Sequence, residues 1–461
     1  VTHRFRLMPG LSAILPSELV ERLRRHPDVV SVREDRQRRP LLSTLPATLG
    51  LAAFANVGIT AGSVDVAMID TGIFLDHPGL KVLSDSGRIV SLISLAQACP
   101  NDDCGPENPL EDPTSPDDFV GHGTAVAGVI ASAGWSGHAE LKGVVPGLRK
   151  LINVKAFTDP GHFDSDVISG AEMALDLGDD APEVINASLG AVTYYLSDPG
   201  EPDLDEDPYD HEDAARFFDA VVATAHKVMV VAAGNLGPSE RSVESPGIAY
   251  NVLSVGATDT NHSDSRADDQ VWSGSARGPA KGPRNGTPLR KKPDLVAPGY
   301  GLFTTGYLGG VTTGSDEPDA AVGTSLAAPV VSGLAALLWD TPDLGAPAIA
   351  EDDKPLAIRA VLINSAEDRG APGWDPDWGW GYVDAARAYA ERGGVAIGEI
   401  AAAGARRLYL RSSASATKAT LVWNRPVSFT STPPLKNLDL RLYALTSCAP
   451  RRRPPSTTWS R

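Results

Sequence analysis

The stretch Gly323-Thr324-Ser325-Leu326-Ala327-Ala328-Pro329-Val330-Val331-Ser332-Gly333-Leu334-Ala335-Ala336-Leu337-Leu338 is a turn feeding a long apolar run without charge. Such a run predicts a helix buried on all sides, with Ser325 among its first residues. There a hydroxyl lies beside unpaired backbone N–H groups, at the positive end of the helix dipole. The position suits a nucleophile whose product state carries a negative oxygen. Taken alone, Ser325 reads first as a plain helix cap. The rest of the chain reverses that reading.

Outward from this run, residues from about 50 to 393 alternate strand and helix patterns. The pattern predicts an α/β fold, a mostly parallel sheet with helices on both faces. Val64-Asp65-Val66-Ala67-Met68-Ile69 reads as a strand running into Asp70-Thr71-Gly72. Gly121-His122-Gly123-Thr124 opens a second apolar helix. Val184 to Gly190, Lys227 to Ala233 (followed by Gly234-Asn235) and Val252 to Ala257 read as further strands. In open parallel sheets ligands bind beyond the carboxyl ends of the strands. Asp70, Gly190 and Asn235 fall at such ends and so point to one rim.

The flanks differ. Residues 1–42 form a small Arg-rich module in which Arg4 to Leu7 and Val29 to Val32 read as strands around a helix from Glu18 to Arg25, capped by Ser17. Arg38 to Pro46 reads as an exposed, Pro-bearing joint. After Gly393-Gly394, the segments Arg407 to Leu410, Lys418 to Trp423 and Leu438 to Tyr443 alternate like short strands. They predict a β-sandwich module over 394–446 with too few strands to bury both inner faces. Residues 447–461 read as a disordered tail.

Composition narrows the function. The 461 residues suggest about three domains, or one large domain with appendages. The net charge of −17, from 41 basic and 58 acidic residues, argues against a nucleic-acid partner. No apolar run is long enough for a membrane span. Cys99 and Cys104 flank a turn-rich spacer; they read either as a small surface disulfide or as two free thiols, and Cys448 is left unpaired. No second cysteine pair or His cluster accompanies them, so zinc is not expected. The acidic run from Pro199 to Pro208 reads as a solvated surface insertion whose spacing fits no defined calcium loop. Structural calcium stays an unassigned option, and no cofactor is required for the chemistry. The chain opens on Val1 without a signal-peptide pattern, so its address must be inferred rather than read.

A serine hydrolase needs a base for its hydroxyl, a carboxylate to hold that base, and amide donors for the oxyanion. The chain supplies Asp70, His122 between two glycines, Asn235 and Ser325. Singly, Asp70 and Asn235 read as turn residues and His122 as a helix start. No Gly-x-Ser-x-Gly occurs, so the elbow of the α/β-hydrolases is not the route.

Together these segments resemble the subtilisin-like serine endopeptidases, the subtilases. The resemblance is carried by Val66 to Gly72, Gly121 to Gly128, Asn186 to Gly190, Ala232 to Gly237, Lys292 to Gly299 and Gly323 to Pro329, and covers most of residues 60–340. The order Asp, His, Ser is that of subtilisin. The resemblance implies a triad of Asp70, His122 and Ser325, with Asn235 as side-chain oxyanion donor. It implies that Ser188, Leu189 and Gly190 form an open edge to which an extended protein or peptide substrate adds as a strand. Ala232, Ala233 and Gly234 would line the first specificity pocket. Their small size, with uncharged Leu236 beside them, implies a preference for a large apolar residue before the cut bond. The loop from Pro238 to Gly247 completes that pocket and carries no assigned roles. Residues 1–42 resemble the end of a subtilase pro-segment, through His26 to Val32, that plugs the cleft until cut near Arg38 to Pro46. Thr420 to Asn424 with Leu438 to Leu440 resembles the β-sandwich found after subtilase domains. Leu326 and Val330 stand where relatives often carry Met and His, away from the chemistry. The family implies export. The alternative is a non-catalytic binding protein on the same fold.

Overall fold

A computed structural model describes residues 3–4, 11–12, 17–27, 29, 41–94, 115–157, 164–190, 209, 212–261, 263, 265–280, 290–306, 319–345, 349–398, 418–427, 440–441 and 458–459. The chain divides into two compact units, Val1–Arg39 and Pro40–Arg461. In the first, β1 (His3–Arg4) pairs antiparallel with β2 (Leu11–Ser12), and α1 spans Ser17–Arg24. Ser17 is thus the first helical residue. The strand expected at Val29 to Val32 lies outside the described residues apart from Val29, which is not in a strand.

The second unit runs α2 (Leu41–Leu49), α3 (Ala52–Ala55), β3 (Asp65–Asp70), α4 (Pro78–Asp85), β4 (Ile89–Ile93), α5 (His122–Ala131), β5 (Ala133–Trp135), β6 (His138–Lys142), β7 (Lys150–Lys155), α6 (Asp164–Leu175), β8 (Val184–Ala187) and α7 (Asp213–Thr224). It continues with β9 (Val228–Ala232), β10 (Leu253–Asp259), β11 (Gln270–Val271), β12 (Leu295–Tyr300), β13 (Leu302–Thr304), β14 (Asp319–Ala321), α8 (Thr324–Trp339), α9 (Lys354–Ser365), α10 (Ala385–Glu391), β15 (Leu440–Arg441) and β16 (Thr458–Trp459). The sheet order is β11-β10-β9-β8-β3-β7-β4, with β12 also on β10. All its pairings are parallel except β10 with β11.

This is the α/β architecture expected from the alternation. Along β3, Val66 and Met68 enter one core and Ala67 and Ile69 the other, the two-residue period of a strand covered on both faces. One core is completed by α5 and α8, the second by α6 and α7. The register sets Ile69 opposite Ala187, Ala187 opposite Val231, and Asp70 opposite Lys155. Neighbouring strands therefore end at one level, which makes the rim. No helix among the described residues is long and apolar enough to cross a membrane.

Two expectations on the flanks are corrected. The joint Arg38 to Pro46 is not exposed throughout, because Leu41–Leu49 is helical, includes Pro46 and buries Leu45. Leu45 and Leu49, one turn apart, are 1% and 0% exposed. A Pro inside a helix costs about 3 kcal/mol, and burying two leucines gives back roughly 3–6 kcal/mol, so burial wins. Lys418 to Trp423 forms no strand. Lys418 Nζ instead donates to the carbonyls of Ile363 (3.0 Å) and Ala366 (3.2 Å) at the end of α9, where a cation meets unpaired carbonyls. Thr420 Oγ1 donates to Asn364 Oδ1 (2.9 Å), and Asn251 Oδ1 accepts from the Arg425 N–H (2.7 Å). Of the expected β-sandwich, the described residues hold only the pair β15–β16, whose second strand falls in the segment read as a disordered tail. Cys99, Cys104, Cys448, the acidic run from Pro199 to Pro208 and the strand at Arg407 to Leu410 lie outside the described residues.

The buried leucines of α2 give a direct test. Leu49→Ala should lower unfolding free energy by about 2–5 kcal/mol in urea titration. A change under about 0.5 kcal/mol would mean that residues 41–49 are a loose joint after all.

Candidate active site

Asp70 is the last residue of β3 and its side chain is 0% exposed. Its Oδ1 accepts the Thr71 N–H (2.8 Å) and lies 2.7 Å from His122 Nδ1. His122 is the first residue of α5, after Gly121 at φ 93°, and its ring is 34% exposed. A buried carboxylate thus holds one ring nitrogen while the rest of the imidazole reaches the rim. Gly123 makes this approach feasible. A Cβ there would collide with the Gly72 carbonyl and stand 3.0 Å from Asp70 Oδ1. Burial pulls the His122 imidazole down, but the Asp70 charge and hydrogen bond, aided by the Asp118 charge, outweigh it and leave its pKa above the ordinary value.

Asp118, four residues before His122, carries no role in the sequence reading. It is 1% exposed. Oδ1 accepts from the N–H groups of Val120 (3.0 Å) and Gly121 (2.8 Å) and from Thr71 Oγ1 (2.9 Å). Oδ2 accepts from Thr124 N–H (2.8 Å) and Oγ1 (2.7 Å). One carboxylate thereby ties the turn before α5 to the turn after β3, which positions His122 on Asp70. Its signal in the sequence was an acid in the turn just before a helix start, one that also serves as an ordinary cap.

Ser325 is the second residue of α8 and the one residue of that helix that is not buried. Gly323 precedes it at φ 146°, in the region that favours glycine. Asn235 Oδ1 accepts both the Thr324 N–H (2.9 Å) and Thr324 Oγ1 (3.0 Å). Those two donors fix Oδ1 and turn the Nδ2 amide the other way. A Cβ on Gly323 would lie 3.5 Å from Asn235 Nδ2 and 3.6 Å from the Ser325 nitrogen. With glycine there, the space between these two donors stays open.

The segment Ser188 to Gly190 is tied to the same helix. Ser188 Oγ donates to the Ser325 carbonyl (2.6 Å) and accepts from Asn186 Nδ2 (2.9 Å), while Asn186 Oδ1 accepts from Ser332 Oγ (2.9 Å). Leu189 is buried and Gly190 exposed. Ala232 and Ala233 send their methyl groups into the two cores, so they offer the rim only backbone.

Beside the residues expected to line the first specificity pocket stands a charged neighbour, Glu244. A Cβ on Gly234 would collide with Glu244 Oε2, and one on Gly190 would stand 3.0 Å from the same oxygen. Glu244 Oε2 accepts the Asn235 N–H (2.8 Å). The sequence reading missed it because the loop from Pro238 to Gly247 has no period from which a facing could be read. Among the described residues no group of three or more His, Cys, Asp and Glu is placed to hold a metal ion.

The sequence model of the subtilase family matches residues 62–381, and that of the peptidase inhibitor I9 family matches residues 1–40. Serine protease AprX of Bacillus subtilis (strain 168) is 31% identical over 348 residues, covering 72% of this chain and 70% of that protein. The M-protease of Shouchella clausii (strain KSM-K16) is 30% identical over 342 residues, 73% of this chain and 70% of its own. The human membrane-bound transcription factor site-1 protease is 30% identical over 362 residues, 76% of this chain but 28% of that protein.

The Asp70–His122 contact is measurable by itself. In an NMR titration the His122 ring should titrate above the ordinary 6.5 of a free imidazole, and Asp70→Asn should bring it down. A wild-type ring that titrates at or below the ordinary value would contradict the pairing.

Proposed function

We propose that Asp70, His122 and Ser325 are the catalytic triad of this chain, which belongs to the subtilase family of serine endopeptidases. The observation that carries the proposal is the 2.7 Å contact between the buried Asp70 carboxylate and His122 Nδ1. It leaves Nε2 as the base for the one unburied residue of α8.

In the first step Ser325 Oγ attacks the scissile carbonyl carbon while His122 Nε2 takes the hydroxyl proton. Asp70 keeps the Nδ1 proton in place and stabilises the imidazolium. The carbonyl oxygen, now an anion, enters the space beside Gly323 and meets Asn235 Nδ2 and the Ser325 N–H. Collapse breaks the C–N bond, and His122 returns its proton to the leaving amine. Water then repeats the sequence on the acyl-enzyme and frees Ser325. Because the base must be neutral, a raised His122 pKa means that turnover falls as pH drops through it.

The extended substrate adds to the edge at Ser188 to Gly190, and the side chain before the cut bond enters between Gly190 and Gly234. The match of residues 1–40 to an inhibitor family supports their role as the chain's own inhibitor until cut. That cut falls before α2, since α2 is packed into the core. A protease held silent by such a segment suits work outside the compartment that makes it, which supports export.

Fluorophosphonate labelling separates a catalyst from a binding protein on this fold. The wild type should take one label and Ser325→Ala none. A folded wild type, cut before α2, that takes no label, or a Ser325→Ala variant that labels equally, would refute the assignment.

A further inference from the structure

Glu244 is the acid that the proposed chemistry does not use. It is 8% exposed, and its backbone N–H is fixed on the Ala233 carbonyl (2.9 Å). Its side chain folds back over Gly234, whose missing Cβ would lie within 2.6 Å of Cδ. From the other side Gly190 stands a little further off: a Cβ there would be 3.3 Å from Glu244 Cβ and 3.4 Å from Cδ. Two glycines on two neighbouring stretches thus make room for one carboxylate. These are the same two stretches between which the proposed substrate side chain enters.

The carboxylate is poorly compensated. Oε2 has the Asn235 N–H, and among the described residues no Lys or Arg pairs with Glu244. Burial raises its carboxyl, offset in part by that one N–H. A desolvated carboxylate with one hydrogen bond is costly unless a cation completes it. A charge-assisted pair with a guanidinium or ammonium would do so. An apolar side chain in the same place would bury the carboxylate without a partner. An acid in the pocket of a trypsin-like protease sets the same choice on an unrelated fold.

We infer that Glu244 determines specificity at this site, and that the residue before the cut bond is Arg or Lys rather than a large apolar one. The inference rests on the triad and substrate-edge reading above. It replaces an expectation drawn from Ala232, Ala233 and Gly234 without their charged neighbour.

The test is a set of peptides identical except for Arg, Lys, Phe, Leu or Ala before the cut bond. The readout is kcat/KM per active site, titrated with fluorophosphonate, for wild type, Glu244→Gln and Glu244→Ala. In wild type, Arg or Lys should lead Phe and Leu by about tenfold or more. Glu244→Gln should shrink that lead by about 10–100-fold, and Glu244→Ala should favour Phe. Normalising to active sites removes any loss of folded protein, and the wild-type ranking tests the Arg or Lys preference whether or not the variants fold. A wild-type lead for Phe, Leu or Ala overturns the inference, as does an Arg or Lys lead that both variants keep. A wild type that takes no label and cuts no peptide overturns the triad reading, and the inference with it.

Discussion

Burial of α8 is the constraint on which the site depends. Every residue of that helix except Ser325 is buried, and the helix lies across β8, β9, β10 and β12. Sixteen residues with no charge have no other stable place than between a sheet and its neighbouring helices. Once the helix is so placed, its first turn must emerge at the carboxyl ends of the strands. Ser325, half-buried, is the one residue of the helix not enclosed there. The proposed nucleophile is therefore positioned by the core, and sites carried on such rigid elements hold their geometry better than loops do.

Around that helix start several polar groups are tied to neighbours. Asn186, Ser188 and Ser332 link the proposed substrate edge to α8 through hydrogen bonds of 2.6–2.9 Å. Thr324 holds Asn235 by Oδ1, and its Oγ1 in turn accepts the Gly234 N–H at 3.1 Å. Asp118 binds the turn that carries His122. In each case a buried polar atom finds a partner whose own position is fixed by sheet or helix, which is how preorganisation arises without strain. Glycine is used where two such parts must touch: Gly123 against Gly72, and Gly190 and Gly234 against Glu244.

The parts legible in the sequence were those with a period or a motif. The strands before Asp70 and Asn235 and the helices after Gly121 and Gly323 carry long apolar runs, and their identities follow from burial. The pairing of Asp70 with His122 was readable through resemblance, since no local pattern says that residues 52 apart meet. What stayed hidden had no period. Pro46 looked like a loop marker until Leu45 and Leu49 were seen to share a buried face. Lys418 to Trp423 alternates like a strand, yet it caps the end of α9. Asp118 and Glu244 sit in turns, where acids are ordinary, and only contacts distant in sequence give them meaning.

The central claim is that Asp70, His122, Asn235 and Ser325 act on one reacting group. A crystal structure of the fluorophosphonate-treated protein addresses it most directly. The account predicts phosphorus bonded to Ser325 Oγ, a phosphonyl oxygen within hydrogen-bond reach of Asn235 Nδ2 and the Ser325 N–H, and His122 Nε2 beside the same adduct. Phosphorus on another residue, or an adduct on Ser325 with His122 and Asn235 out of reach, would contradict it.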